Sequence, residues 1–250
     1  MPTIDETLVS VIIPNFNYGR FIKEAIMSVA AQTHSSIELI VVDDGSTDGS
    51  GQAITQVLES LHDWSGTASA IYLEKNRGFN AAVNSAAGSI KGYAVILLDS
   101  DDKLKPTYVS ETLAVLLREE QNGVGIVYGH SHLIDENGKI IGELRSEKFD
   151  PDLLDYKSYI PGNALTLARA FKPLLPLDEN IRRAIKWNRW KLIVGNGFRG
   201  FYVEESLFEY RMHDQNASGI GNRMLEQAKG EKPGVRRAQD YWPVGTNSAK

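Results

Sequence analysis

Short apolar runs alternate with amphipathic stretches along the first half of the chain, and each pairing predicts a strand followed by a helix. Val9 to Ile13 is an apolar strand stopped by Pro14, after which Phe21, Ile22, Ala25, Ile26 and Val29 recur at helical spacing. Glu38 to Val42 is the second strand; it ends in Asp43-Asp44-Gly45-Ser46, where Ser46 or Thr47 can cap a helix running toward Leu61. Ala70 to Leu73 is the third, and Asn76-Arg77-Gly78 leads from it into an alanine-rich helix ending near Gly88. Ala94 to Leu98 is the fourth, and Asp99-Ser100-Asp101-Asp102 follows it directly. Strands and helices in this alternation predict a mainly parallel sheet flanked by helices.

The pattern loosens afterwards. Val109, Leu113, Leu116 and Leu117 mark one side of a helix running from Pro106 to about Glu120. Gly125 to Tyr128 is a strand, and Ser131–Ile134 with Lys139–Ile141 reads as a hairpin turning at Glu136-Asn137-Gly138. Residues 145–162 read as a loop with a short helix. Asn163 to Phe171, Ile181 to Val194 and Phe201 to Tyr210 predict helix, helix and strand. The expected organisation is a core over 1–135, a further region of the same domain over 136–218, which the resemblance given below makes the acceptor side, and a polar, mobile tail over 219–250.

Composition narrows the function classes. A hydrophobic fraction of 42% and a charged fraction of 24% describe a soluble globular chain. A net charge of −5 argues against a general nucleic-acid binder, which carries a basic face. The chain has no cysteine, which rules out disulfides, thiolate catalysis and zinc–thiolate sites. No apolar run approaches the ~18 residues that a membrane span needs, and the start MPTIDET is unlike a secretory signal. The expectation is a cytoplasmic protein, with peripheral membrane attachment left open.

The candidate chemistry lies in the turns. Pro14-Asn15-Phe16-Asn17, Asp43-Asp44-Gly45-Ser46 and Asp99-Ser100-Asp101-Asp102 each follow a strand. Strand ends of one parallel sheet share an edge, so these turns should converge where ligands bind. Clustered carboxylates are costly unless a cation neutralises them. Mg²⁺ or Mn²⁺ holding a phosphorylated substrate meets that need. The alternative is a solvated acidic turn, with Asp102 or Thr107 as the N-cap of the next helix. Neither G-x-G-x-x-G after the first strand nor the P-loop signature is present, so dinucleotide and P-loop sites are unsupported.

The ordered run of Val9-Ser-Val-Ile-Ile-Pro-Asn-Phe-Asn-Tyr18, Ser28-Val-Ala-Ala-Gln-Thr33 and Glu38-Leu-Ile-Val-Val-Asp-Asp-Gly-Ser-Thr-Asp48 resembles the family 2 inverting glycosyltransferases of GT-A fold. Asn76-Arg-Gly-Phe-Asn-Ala-Ala-Val-Asn84, Leu97-Leu-Asp-Ser-Asp-Asp102 and Tyr210-Arg-Met-His213 continue the likeness. It implies an α/β, Rossmann-like GT-A fold and a nucleotide-diphosphate sugar donor. The nucleotide-binding positions it implies are Pro14, Phe16, Asp44, Arg77 and Asp101. Phe16 would sit against the base, its alternative being a place in the core. Asp44 would accept a hydrogen bond from uracil or thymine, alongside or instead of capping the helix after Ser46. Arg77 would face base or phosphate, or solvent. Asp102, Asp101 and His213 would hold Mn²⁺ or Mg²⁺, with Asp99 organising the turn. The acceptor would be a hydroxyl, on a glycan or a lipid-linked group among others.

One position departs from the family's pattern. An inverting transferase needs a general base for the acceptor hydroxyl. In this family the base is usually the Asp of a Glu-Asp pair shortly before Tyr-Arg-x-His. The matching stretch Ala184-Ile-Lys-Trp-Asn-Arg-Trp190 places Lys186 there. Three explanations stand: an offset that leaves Asp178 or Glu179 as the base, a desolvated and neutral Lys186, or a nucleotide-sugar-binding protein with little transfer. Arg182, Arg183, Lys186, Arg189 and Lys191 also make this helix basic, suited to a diphosphate, an anionic acceptor or solvent. A nucleotidyltransferase fits less well, because Pro14 to Tyr18 lacks a glycine-rich basic loop.

Overall fold

The computed structural model describes residues 3–216. The tail expected from Gly219 therefore lies outside the described residues. Parallel strands β1 (Val9–Asn15), β2 (Ile37–Asp43), β3 (Thr67–Tyr72) and β4 (Ala94–Leu97) form one half of a single sheet. Helices α1 (Gly19–Ala30), α2 (Ser50–Glu59) and α3 (Phe79–Ser85) connect them. The other half holds β5 (Lys103–Leu104), β6 (Val124–Ile134), β7 (Ile140–Leu144), β8 (Leu165–Leu167) and β9 (Arg199–Arg211), with helices α4 (Tyr108–Glu119), α5 (Ala168–Phe171) and α6 (Ile185–Gly195). The strand order is β3-β2-β1-β4-β8-β6-β9-β5, with β7 paired to β6.

Each central strand feeds two cores, which is why its sequence is apolar without interruption. Val11, Ile13, Leu39, Val41 and Ile96 join α1, α2 and α4 on one face, whereas Ile12, Ile40, Val42, Val95 and Leu97 pack with Ala82, Val83 and Phe171 on the other. The strands β1, β2, β4, β6 and β9 all run one way, so their carboxyl ends share one edge; β5, β7 and β8 run antiparallel. No helix among the described residues is long and apolar enough to cross a membrane.

Several expected elements are corrected. Asn163 to Phe171 is not one helix: Leu165–Leu167 inserts as β8 between β4 and β6, and the helix is confined to Ala168–Phe171. A main chain wedged between two strands finds its hydrogen bonds in the sheet, which overrides helical spacing. Gly125–Tyr128 and Ser131–Ile134 are parts of one strand, β6, buried along nearly its whole length. The last long helix begins at Ile185 rather than Ile181, after Ala184 in left-handed backbone (φ 51°). Neither Ser46 nor Thr47 caps α2. That helix starts at Ser50, whose N–H is taken by Asp48 (3.0 Å).

Candidate active site

The first two turns interlock at the shared edge. Asn15, the last residue of β1, donates from Nδ2 to Asp43 (2.8 Å), and Asp43 also accepts from the Ser46 hydroxyl (2.6 Å). The chain then turns at Gly45 (φ +71°), where a Cβ would lie 2.6 Å from the main chain of Lys75, so only glycine fits. Asp44 is buried, and its carboxylate accepts the N–H groups of Arg77 (2.8 Å) and Gly78 (2.6 Å). This replaces the expected cap on the helix after Ser46: Asp44 clamps the Asn76–Gly78 loop instead. Phe16 is 37% exposed, which removes the reading that it belongs to the core.

The Arg77 side chain reaches Glu179 (2.9 Å) rather than standing free. Asn84 donates to the same carboxylate, and with Arg77 holds Glu179 below the usual carboxylate range. The segment 177–182 is laced to the loop and to α3. Asn80 donates to Asp178 O (2.7 Å), Asn84 and Leu177 exchange two bonds, and Arg182 donates to Arg77 O (2.5 Å). Asp178 itself is exposed and accepts from Asn180. Of the two expected alternative bases, Glu179 is thus engaged and Asp178 points to its own turn.

The third turn carries the charge. Ligand oxygens of Asp99, Asp101 and Asp102 lie within 4.8 Å of one another. Asp102 is buried, and desolvation followed by the charges of Asp101 and Asp99 raises its pKa well above the ordinary value. Tyr18, half-buried beside the same carboxylates, has its phenol pushed upward for the same reasons. Neither Asp102 nor Thr107 serves as a side-chain cap: Thr107 stands at the start of α4 but makes no such bond. The cluster is an oxygen donor set suited to a hard divalent ion.

The carboxyl end of β9 closes this turn. The Arg211 side chain is fully buried and donates to Asp101 O (2.9 Å), Glu136 O (2.8 Å), Asp135 O (3.3 Å) and the Glu24 carboxylate (2.8 Å). Its main-chain N–H meets Asp102 Oδ1 (3.0 Å). His213 is buried against Phe21 and Tyr18, with ring centroids at 5.0 and 5.5 Å. Its Nδ1 accepts from Gln215 N–H (3.2 Å), which places the proton on Nε2, facing Asp101 (3.0 Å). His213 therefore sits at the acidic turn as a donor to one of its carboxylates. Ligating an ion through Nε2 would require that proton to move. Asn216 adds bonds to Asp101 (3.3 Å) and Arg211 O (2.9 Å).

Lys186, in the first turn of α6, forms an ion pair with Asp99. Burial alone favours the neutral amine, but the carboxylates of Asp99 and Asp102, with Tyr210, prevail and raise its pKa. The structure thus opposes a neutral Lys186. Arg189, one turn on, is buried; it donates to Gly162 O (2.5 Å) but leaves Nη1 unpaired, and desolvation lowers it to about 10. Two cavities, of about 300 and 550 Å³, lie around His130, Arg145 and Glu204 and include no residue of the acidic turn.

Sequence reasoning did not assign Asn15, Tyr18, Arg211 or Asn216 to the site. Asn15 and Tyr18 lay in the family-like run Val9–Tyr18 and Arg211 in Tyr210-Arg-Met-His213, whereas Asn216 carried no signal. A mainly parallel sheet with an acidic turn at its centre, beside two interlocked strand-end turns, is the GT-A architecture of glycosyltransferases. The chain belongs to glycosyl transferase family 2, whose profile matches residues 10–175. It is 31% identical over 249 residues to an uncharacterised glycosyltransferase of Nostoc sp., covering 93% of this chain and 74% of the relative. It is also 31% identical over 218 residues to the putative teichuronic acid biosynthesis glycosyltransferase TuaG of Bacillus subtilis (84% and 81%). Among solved structures, the mannosyltransferase PcManGT of Pyrobaculum calidifontis, in complex with GDP-Man and Mn²⁺, aligns with a TM-score of 0.65 at 19% identity over 91% of this chain. TarS 1–349 of S. aureus aligns at 0.63 and 20% over 82%, and has also been solved with UDP and UDP-GlcNAc. The chain spans 65% and 60% of those two solved chains.

Proposed function

We propose that the protein transfers a sugar from a nucleotide-diphosphate sugar to an acceptor hydroxyl with inversion, and that the nucleotide is UDP or dTDP. The observation that carries this is the convergence of the Asp99–Asp102 cluster and the Asp44-clamped loop on one sheet edge. Asp44 spends one oxygen on each N–H of the loop and keeps acceptor capacity for the N3–H of uracil or thymine. Phe16 is exposed at the same edge, free to stack on the base. Structural neighbours solved with UDP, UDP-GlcNAc and GDP-Man support a nucleotide-sugar donor.

Asp101 and Asp102 would hold Mn²⁺ or Mg²⁺, with His213 beside them. Such an ion, when bound, assists departure of the nucleoside diphosphate as a Lewis acid. The chain's own groups do the rest. The Asn76–Gly78 loop and Phe16 fix the nucleotide, and the residues from 136 onward shape the acceptor side. The acceptor oxygen attacks the anomeric carbon, the bond to the diphosphate breaks, and the hydroxyl proton leaves to a base. Lys186 already carries its proton and does not fill that role.

Thermal unfolding with UDP, dTDP, GDP and CMP, each with and without Mn²⁺, tests the donor. At a hundredfold excess over Kd, binding adds ~2.7 kcal/mol, about 5–10 °C for a domain of this size. An Mn²⁺-dependent shift is expected with UDP or dTDP; no shift with any nucleotide would remove the reading.

The ammonium at the base position favours one second reading, a nucleotide-sugar-binding protein with little transfer. Lys186→Asp separates the two. The transferase reading expects a loss of turnover, about tenfold or more, in a radiolabelled-sugar transfer assay. A gain within the ~10²–10⁴ range of a general base would establish the binding protein.

A further inference from the structure

Lys186 is placed against the tendency of its own helix. It stands in the first turn of α6, where the positive end of the helix dipole disfavours a cation. Its stem runs across Gly162, where any Cβ would collide with the lysine methylenes, and the Gly162 carbonyl is pinned by Arg189. The ammonium thus reaches Asp99, 87 residues away, along a path beside Gly162 that a side chain at that position would force it to leave. The other two carboxylates of the cluster are met differently: Asp101 by His213 and Asn216, Asp102 by the main-chain N–H of Arg211.

A lysine on Asp99 and a divalent ion on the same three-carboxylate cluster repel each other. They stand within a few ångströms in a half-buried site, where charge–charge interactions are far stronger than in water. We propose that the Lys186 ammonium is the resident counter-ion of the acidic turn and makes divalent-cation binding conditional on a nucleoside diphosphate. Without nucleotide, the cluster is compensated by Lys186 and holds Mn²⁺ or Mg²⁺ weakly. A nucleoside diphosphate brings oxygen ligands for the ion and negative charge for the ammonium, so ion and nucleotide bind together while Lys186 leaves Asp99 for the diphosphate. This inference rests on the nucleotide-sugar reading above for its second half only; the competition between lysine and ion is a property of the nucleotide-free protein.

The test is an Mn²⁺ titration followed by electron paramagnetic resonance of the free ion. It is run on wild type, Lys186→Met and Lys186→Gln, first alone and then with UDP, with circular dichroism confirming that each variant is folded. In the absence of nucleotide, both variants should bind Mn²⁺ at least about tenfold more tightly than wild type. UDP should tighten Mn²⁺ binding in wild type by a larger factor than in either variant. Equal Mn²⁺ affinity of the three nucleotide-free proteins would overturn the inference, even if UDP then binds normally and the donor reading survives. Tighter Mn²⁺ in the variants with no effect of UDP, GDP or dTDP on any protein would leave the lysine–ion competition standing and overturn the nucleotide-conditional half together with the donor reading.

Discussion

Asp102→Asn should lower sugar transfer by roughly 10³-fold or more, because it removes one of the two carboxylates assigned to the divalent ion, whose assistance amounts to several kcal/mol. The same variant should raise the melting temperature of the nucleotide-free protein by about 2–4 °C, the equivalent of roughly 1 kcal/mol. The two effects share one cause. Asp102 is buried, and desolvation and the neighbouring Asp101 and Asp99 raise its pKa. The folded state therefore holds the Asp102 proton to a higher pH than the unfolded state does, so this group's contribution to stability falls as pH rises through that raised pKa. Asparagine keeps an oxygen for the Arg211 N–H (3.0 Å to Asp102 Oδ1) and carries no charge. The melting difference between variant and wild type should accordingly widen as pH rises and shrink on acidification. A variant that is both active and no more stable would mean that Asp102 neither holds the ion nor suffers from its neighbours.

The second large effect is structural. Arg211→Met should lower stability by about 3–5 kcal/mol, the usual cost of breaking a buried charged network by removing one partner, or ~6–20 °C in melting temperature by calorimetry. Methionine fits the apolar wall that Phe21 presents, whose ring centre lies 4.8 Å from the guanidinium. It leaves the carbonyls of Asp101 and Glu136 without a donor, and takes one partner each from Asp135 O, which keeps the Gly138 N–H, and from the Glu24 carboxylate, which keeps Lys103. A loss of less than ~2 °C would show that α1, the acidic turn and the 135–136 turn are held together by something else.

What was legible in the sequence follows from how local each signal is. The strands β1, β2 and β4 could be read because both faces of the sheet are covered, so their residues are apolar throughout. The turns after them could be read because their acidic, asparagine and glycine residues have few uses in a core. By contrast β8 is three residues long, and its place is set by β4 and β6 on either side. Its apolar spacing continues into α5 and imitates a single helix. The role of Asp44 was half legible: an acceptor was expected, toward a base or a helix start, but the partners it has lie 33 and 34 residues away in the Asn76–Gly78 loop. The Lys186–Asp99 and Arg211–Glu24 pairs lie beyond local reading altogether, separated by 87 and 187 residues. A lysine in place of a carboxylate could be seen in the chain; where its ammonium would go could not.

The lacing of Leu177–Arg182 onto the Asn76–Gly78 loop and α3 has a consequence for how such a protein can diverge. The Asn76–Gly78 loop, proposed to hold the donor, and the approach to α6 are one mechanical unit, joined by the Asn80, Asn84, Glu179 and Arg182 contacts. A lineage that exchanges the stretch leading into α6 also rewrites what supports the Asn76–Gly78 loop. Viable chimaeras are those whose crossover points fall before Asn76 and after α6, so that both partners of every lace come from the same parent.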